Sequence, residues 1–322
     1  MGPGAAGAPD WSCSSRGVIE GMAVLVLLAL KVAVMVTVFA LGLSVGPGSA
    51  VYLLRRPGLL LRSLLAMNVI VPLFVTAMVV VFHLRPAVEI ALISLAVSPV
   101  PPTLPARTLK AGGGAPYAIG LLATAALLAI VFVPLAVGLL GRAVGLSGRV
   151  PPAPVAATVA MTVLAPLAAG VLVHRFAPTL AARLARPVSL LGSVLLAVGV
   201  LAVLLVAAPA IIPLMGNGTL AAIVAFILVG LAVGHALGGP EPADRTVLAL
   251  MTASRHPGVA ITIASASFPE RKPLIAAMVL YLLVNVILYL PYRAWCRRRQ
   301  TGGGEHRPDR DSGMSADDGP GD

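Results

Sequence analysis

Residues 190–212 read LLGSVLLAVGVLAVLLVAAPAII, a stretch without a single charged side chain. A hydrocarbon layer about 30 Å thick is crossed by roughly 20 apolar residues of helix, each rising about 1.5 Å. This stretch is therefore a membrane-crossing helix. It has company: Val24–Leu30 leads directly through Val32–Val45 in the same way. Across 322 residues 58% are hydrophobic and 11% are charged, and the mean hydropathy is +0.98. A soluble domain carries about 25% charged residues because its surface faces water. The chain reads as an all-α membrane protein.

Working outward, the apolar blocks predict about nine transmembrane helices, at 21–45, 59–82, 86–110, 115–140, 154–173, 188–208, 219–237, 247–268 and 273–290. Three regions follow: an extracytoplasmic N-terminal segment (1–20), a transmembrane domain (21–295) and a disordered cytoplasmic tail (296–322). The tail is polar, with three consecutive glycines at 302–304 and several aspartates, and has too little apolar surface to order itself. Asp10, Arg16 and Glu20 precede the first apolar run without a basic leader or a clear cleavage site, so that run is expected to be a retained helix. Cys13 and Cys296 lie near opposite ends, an arrangement unsuited to a structural disulfide or a cysteine-rich metal site.

The loops orient the chain. With the N-terminus outside, one face receives twelve Lys and Arg residues, among them Arg55, Arg56, Lys110, Arg245 and Arg297–Arg299; the other receives six, including Arg85 and Arg271. The richer face is cytoplasmic by the positive-inside rule, giving a multi-pass protein of the cell membrane with a cytoplasmic C-terminus. The net charge of +11 is thus an orientation and lipid-headgroup signal. No basic stretch is interleaved with base-stacking aromatics, so nucleic acid is not an expected partner.

Two stretches interrupt the apolar pattern. Ser98-Pro99-Val100-Pro101-Pro102-Thr103-Leu104-Pro105-Ala106-Arg107-Thr108 puts four prolines within seven positions of the third span. Each removes a backbone donor and turns its predecessor away from helix. Thr252-Ala253-Ser254-Arg255-His256-Pro257-Gly258 interrupts the eighth. Freed carbonyls at membrane depth persist only inside protein or beside a wet cavity. The breaks lie five spans apart, an odd offset that inverts one relative to the other. Two broken helices in corresponding places of inverted halves point to a transporter binding site near the midplane, here with an incomplete inverted repeat.

Further pieces support a family reading. Val38-Phe39-Ala40-Leu41-Gly42-Leu43-Ser44, Leu54-Arg55-Arg56-Pro57, Ile70-Val71-Pro72-Leu73 and the proline-rich break come first. Leu127-Leu128-Ala129 with Pro134-Leu135, Arg245-Thr246-Val247 leading into the second break, and Phe268-Pro269-Glu270 follow. In this order and spacing, over roughly residues 24–290, the chain resembles the bile acid:sodium symporter family. The resemblance implies a panel domain, a core domain containing two crossing broken helices, and sodium-coupled uptake of organic anions from bile acids to small carboxylates. It also implies that a nine-helix form is compatible with the fold. The family's sodium-site residues fall here on Ala106-Arg107 (Ser-Asn), Met251 (Glu), Arg255-His256 (Gln-Asn) and near Met67 (Gln). Met supplies no hard oxygen, and a guanidinium has donors only.

The reading that follows places Arg107 and Arg255 where the resemblance puts two sodium ions, there to meet an anionic cargo of the carboxylate or sulfate class in bidentate fashion. A structural role, capping broken-helix carbonyls, stands beside it. His256 either exchanges a proton or packs against a carbonyl. Thr103, Thr108, Thr252 and Ser254 flank the breaks as hydroxyl ligands, or else bond their own backbone. Asn68 joins the candidate substrate-binding set; Asn68 and Asn285 also suit interhelical hydrogen bonding. Lys31 either faces the pathway or snorkels. His83, His174 and His235 lie near span ends without metal spacing. No cofactor is expected, and coupling to sodium, to protons or to neither stays open. The expected activity is alternating-access secondary transport of a small organic anion; a non-transporting sensor or scaffold with the same fold is the alternative. No nucleophile–base, metal-hydrolase or nucleotide-loop pattern favours an enzyme or an ATP-driven pump.

Overall fold

The computed structural model describes residues 11–44, 52–53, 55–140, 153, 157, 159–216, 218–265 and 271–302. Among these, every regular element is helical. α1 spans Trp11–Leu43, α2 Pro57–Leu65 and α3 Val71–Phe82, the last two joined by a π-helical turn over Ala66–Ile70. α4 (Pro86–Val97) and α5 (Leu104–Lys110) flank the first break, and α6 covers Ala115–Leu140. A second π-turn, Ala160–Leu164, leads into α7 (Ala165–Phe176). α8 (Pro178–Ile211) ends in a 3₁₀ turn over Ile212–Met215. α9 is Thr219–Leu237; α10 (Pro242–Ala253) and α11 (Pro257–Ser265) flank the second break; α12 is Arg271–Gly302.

Among the described residues five stretches are long and apolar enough to cross a membrane: Pro57–Phe82, Ala115–Leu140, Pro178–Leu205, Thr219–Leu237 and Pro273–Arg299. The interruptions expected in the third and eighth spans are present among the described residues. The third and eighth expected spans are each divided by prolines into two helices too short to cross alone, and the start of the fifth, at 154–156 and 158, lies outside the described residues. α1 is already helical from Trp11, inside the segment expected to precede the membrane. α12 continues to Gly302, so Arg297–Arg299 are helical rather than part of a disordered tail; the rest of that tail, from 303, lies outside the described residues. Arginines in the last turns of a helix lie at the negative end of its dipole, which favours this continuation.

Both π-turns precede a proline. Ala66-Met67-Asn68-Val69-Ile70-Val71-Pro72-Leu73 and Ala160-Met161-Thr162-Val163-Leu164-Ala165-Pro166-Leu167 share one pattern. Proline would clash with the carbonyl four residues back, and the wider turn removes that clash. The amide of Val71 accordingly donates to Ala66 O, and that of Ala165 to Ala160 O, each five residues back.

The helices pack in two groups. α1, α7 and α8 form one; α2–α6 and α9–α12 form the other, with α8 against α12 between them. Lipid offers little hydrophobic drive for helices to associate, so close approach of backbones matters more. A Cβ on Gly42 would meet Leu167 O at 2.6 Å, which binds α1 tightly to α7. His174 Nδ1 also lies 2.8 Å from Leu43 O at the same end. Gly230 and Gly234, one turn apart on α9, admit the α10 backbone in the same way, with a Cβ on Gly234 falling 2.5 Å from Ala249 Cα. The outer face of α8 remains apolar and exposed at Leu190, Val194, Val198 and Leu201, as a helix facing lipid should.

Candidate functional site

The two breaks meet. α4 stops at Val97, and Ser98 turns extended (φ −72°, ψ 151°) ahead of Pro99. α10 stops at Ala253, and Ser254 is likewise extended (φ −113°, ψ 139°). Where the two segments come together, the His256 amide donates to Pro99 O at 2.8 Å.

Each proline frees a carbonyl, and each freed carbonyl has a particular acceptor role. Ala253 O would accept from residue 257, but Pro257 has no N–H. It accepts instead from Tyr281 Oη (2.7 Å) and Asn285 Nδ2 (3.0 Å), both on α12. Ser98 O would look to position 102, again proline; it accepts from Arg255 Nη1 at 3.3 Å. Met67 O is freed by the π-turn. Its donor four residues on, Val71, serves Ala66, and its donor five residues on is Pro72. Arg255 Nη2 donates to it at 2.8 Å. One guanidinium thus ties α10's end to the first break and to the π-turn of the second span. Arg255 is 1% exposed, the bulkiest of the fully buried side chains.

His256 caps the next helix. Its Nδ1 accepts from the Gly258 amide at 3.1 Å, with the Val259 amide at 3.4 Å. An accepting Nδ1 puts the neutral ring's proton on Nε2. His256 Nε2 is buried without a hydrogen-bond partner among the described residues, as are Arg255 Nε, Thr252 Oγ1 and Ser94 Oγ. These four lie within about one turn of a break; Thr219 Oγ1, at the start of α9, is also without a partner but lies away from both breaks in the sequence. Buried polar atoms are normally paired, so each of these keeps unused bonding capacity.

The predicted residues do not form one cluster. Arg255, His256, Thr252 and Ser254 gather at the crossing, with Asn68 next to Met67 in the π-turn, half-buried and without a side-chain hydrogen bond among the described residues. Ser254 Oγ is spent on Asn285 Oδ1 at 3.3 Å. Thr108 Oγ1 donates to Pro105 O within its own helix at 2.8 Å, the backbone-bonding alternative for this hydroxyl. Thr103 occupies the N-cap of α5 without a side-chain capping bond. Arg107 sits on α5, partly buried; its carbonyl accepts from Tyr289 Oη at 2.9 Å. Its guanidinium has no partner among the described residues. Tyr281 lies under the Arg255 break and Tyr289 under Arg107, eight residues or about 12 Å apart along α12. Asn285 is an interhelical bonding residue, and Lys31 is exposed on α1.

Sequence reasoning missed Met67 O and Ser94. Pro72, inside an apolar span, was the available signal for the first; a lone serine among alanines and leucines gave none for the second. Among the described residues no group of three or more His, Cys, Asp or Glu could hold a metal. A cavity of about 470 Å³ at the α8–α9 turn, lined by Met215, Gly216, Leu220 and Val224 among others, is apolar and made of residues away from both breaks.

A membrane fold in which two interrupted helices meet, with polar groups buried at the meeting point, is a transporter's architecture. The model of the sodium bile acid symporter family matches residues 31–214. The chain belongs to that family. Its transporters are not enzymes, and the family together with the apolar helices makes this a multi-pass membrane protein of transporter type. Within the sodium bile acid symporter match fall the first break, Arg107 and the Met67–Asn68 turn; the second break lies beyond it. No curated protein matches the chain.

Proposed function

We propose that this member of the sodium bile acid symporter family is a secondary transporter of small organic anions, of the carboxylate or sulfate class, working by alternating access with arginine in the places of the sodium ions. The observation that carries the reading is the Arg255 guanidinium on the carbonyls of Met67 and Ser98. Backbone carbonyls freed inside a membrane protein are what a bound cation coordinates. Here a covalently attached cation takes them.

The charge balance supports the same conclusion. An arginine at mid-membrane costs about 2.5–3.5 kcal/mol on insertion scales. No carboxylate pairs with Arg255 or Arg107, since the ion pair found among the described residues is Arg56–Asp244. The region therefore carries uncompensated positive charge. Arg255 Nε–H, His256 Nε2–H and Thr252 Oγ1 supply donors to an anion at the crossing, and the unpartnered Arg107 supplies a second, movable cation. Arg255 has spent two donors on the scaffold and acts mainly as a fixed charge. Arg107 is the one free to contact cargo.

The rest of the proposal follows the same architecture. α2–α6 and α9–α12 each run helix, broken helix, helix, which suits an incomplete inverted repeat. The loop charges suit a cell-membrane protein with its N-terminus outside and its C-terminus in the cytoplasm.

Purified protein in liposomes, offered labelled carboxylates and sulfates under separately imposed sodium and pH gradients, tests the function. Uptake or counterflow that persists with potassium replacing sodium is the expected result. Strongly sodium-dependent uptake would overturn the arginine substitution, and binding without any flux would make the chain a sensor.

A further inference from the structure

At the end of the membrane domain where α9 and α12 finish and α10 begins, positively charged groups converge around aromatic rings. His235 Nδ1 lies 2.9 Å from Tyr292 Oη, and its ring centroid is 5.2 Å from that of Trp295. Arg299 Cζ sits over the opposite part of this group, 4.2 Å from the Trp295 centroid. Arg245 enters from α10. Its Nε donates to Gly239 O at 2.6 Å, so the loop fixes the side chain while leaving both terminal nitrogens uncommitted. Arg245 and Arg299 both act electrostatically on His235. Neither arginine has a carboxylate within ion-pair distance among the described residues, where Arg56–Asp244 is the ion pair found.

Arg245 and Arg299, carried by different helices, both bear on His235, and an anion seated among them would offset their like charge. The surroundings say which anion. Trp295 and Tyr292 are the residue types that settle at the headgroup level of a bilayer. Two turns up α9 from His235, and on the same stripe, Leu228 is 48% exposed and offers an apolar track toward the membrane interior. A phosphate carrying acyl chains fits both halves of this surface; a free phosphate uses only one.

We propose that Arg245, Arg299 and His235, with Trp295 and Tyr292 as an aromatic wall, form a binding site for the phosphate headgroup of an anionic phospholipid. The site is separate from the breaks and holds whether or not the transport reading does. Basic pockets between transmembrane helices are a known means of holding acidic headgroups.

The chain has two tryptophans, so a Trp11→Phe variant leaves Trp295 as its reporter. This protein in phosphatidylcholine nanodiscs, with phosphatidylglycerol raised stepwise, is expected to show a saturable change in Trp295 emission. Arg245→Gln and Arg299→Gln should each move the midpoint up about five-fold, while Arg299→Lys keeps most of the response. An Arg183→Gln, Arg186→Gln pair, removing twice the charge of either single variant from the start of α8, should leave the midpoint unchanged within about two-fold. An equal shift in that control pair would overturn the site in favour of general surface charge. A saturable response to inorganic phosphate alone would overturn the lipid assignment. So would an emission curve that does not depend on phosphatidylglycerol.

Discussion

The amide of His256 donates to the carbonyl of Pro99 across 2.8 Å, joining two interrupted helices backbone to backbone at the point where each loses its register. Neither break could satisfy its own polar groups in lipid. Each completes the other, and Arg255 and the α12 residues Tyr281 and Asn285 complete both.

Removing the Arg255 charge strands two carbonyls. Arg255→Gln is expected to destabilise the protein by roughly 2–4 kcal/mol, by analogy with breaking a buried charged hydrogen-bond set. The check is thermal denaturation in detergent. A melting curve unchanged from the parent would show that the guanidinium is not holding the crossing together.

Arg107 should behave in the opposite way. Its side chain supports nothing among the described residues, so Arg107→Gln is expected to shift stability by less than about 1 kcal/mol. Anion binding, measured by radioligand titration, should weaken about ten-fold, as suits the loss of one charge-assisted contact.

Pro72 creates the acceptor that Arg255 uses. Pro72→Ala returns an amide at 72 and lets the π-turn relax toward ordinary helix, turning Met67 O back into its own ladder. In that background Arg255→Gln should cost less than it does in the parent, with a coupling of about 0.5–3 kcal/mol in a double-mutant cycle. Strict additivity would disconnect the proline from the arginine.

Asp244 gives a pH signature outside the membrane. Burial holds its carboxyl above the usual carboxylate range, with Arg56, 3.8 Å away, pulling it back down and Glu241 pushing it up. A carboxyl whose folded pKa exceeds its unfolded value takes up protons on folding, so its contribution to stability falls as pH rises through that window. Asp244→Asn should flatten this slope in melting temperatures taken from pH 4.5 to 7.5. Arg56→Gln should steepen it. Because Arg56 is half exposed, the pair itself contributes less than about 1 kcal/mol.

Small residues set the spacing of α9 and α10. Gly234→Val adds a side chain whose Cβ alone falls 2.5 Å from Ala249 Cα. The helices must part, at a cost of about 1–3 kcal/mol or more. Size-exclusion profile and melting temperature report it, and a variant indistinguishable from the parent would mean the two helices are not so closely packed.

Much of this molecule can be read from its sequence, and the unread part has one physical character. Prolines 99, 101, 102, 105 and 257 announce both interruptions, because a missing donor is a property of residue type. The long charge-free runs announce the spans for the same reason. What a run of letters does not announce is which distant donor adopts each freed carbonyl. Met67 looked like a lost sodium ligand because its side chain has no oxygen; its main chain has one, and Arg255 takes it. His256 reads in the sequence as a proton carrier or a packing residue, and its Nδ1 caps α11, a contact that residue type alone does not announce. Nor does composition alone distinguish a charged helical extension, as at the end of α12, from a polar tail.

The paired π-turns have a consequence for how such a chain can change over time. The seat of the Arg255 head group is built from peptide oxygens, which every amino acid carries. Drift at positions 67 and 98 can therefore replace one side chain with another and leave that seat intact, while an exchange at proline 72 removes the Met67 half of it and one at proline 102 the Ser98 half. In this part of the protein, what must persist is the residue that is unable to bond, rather than those that supply the bond.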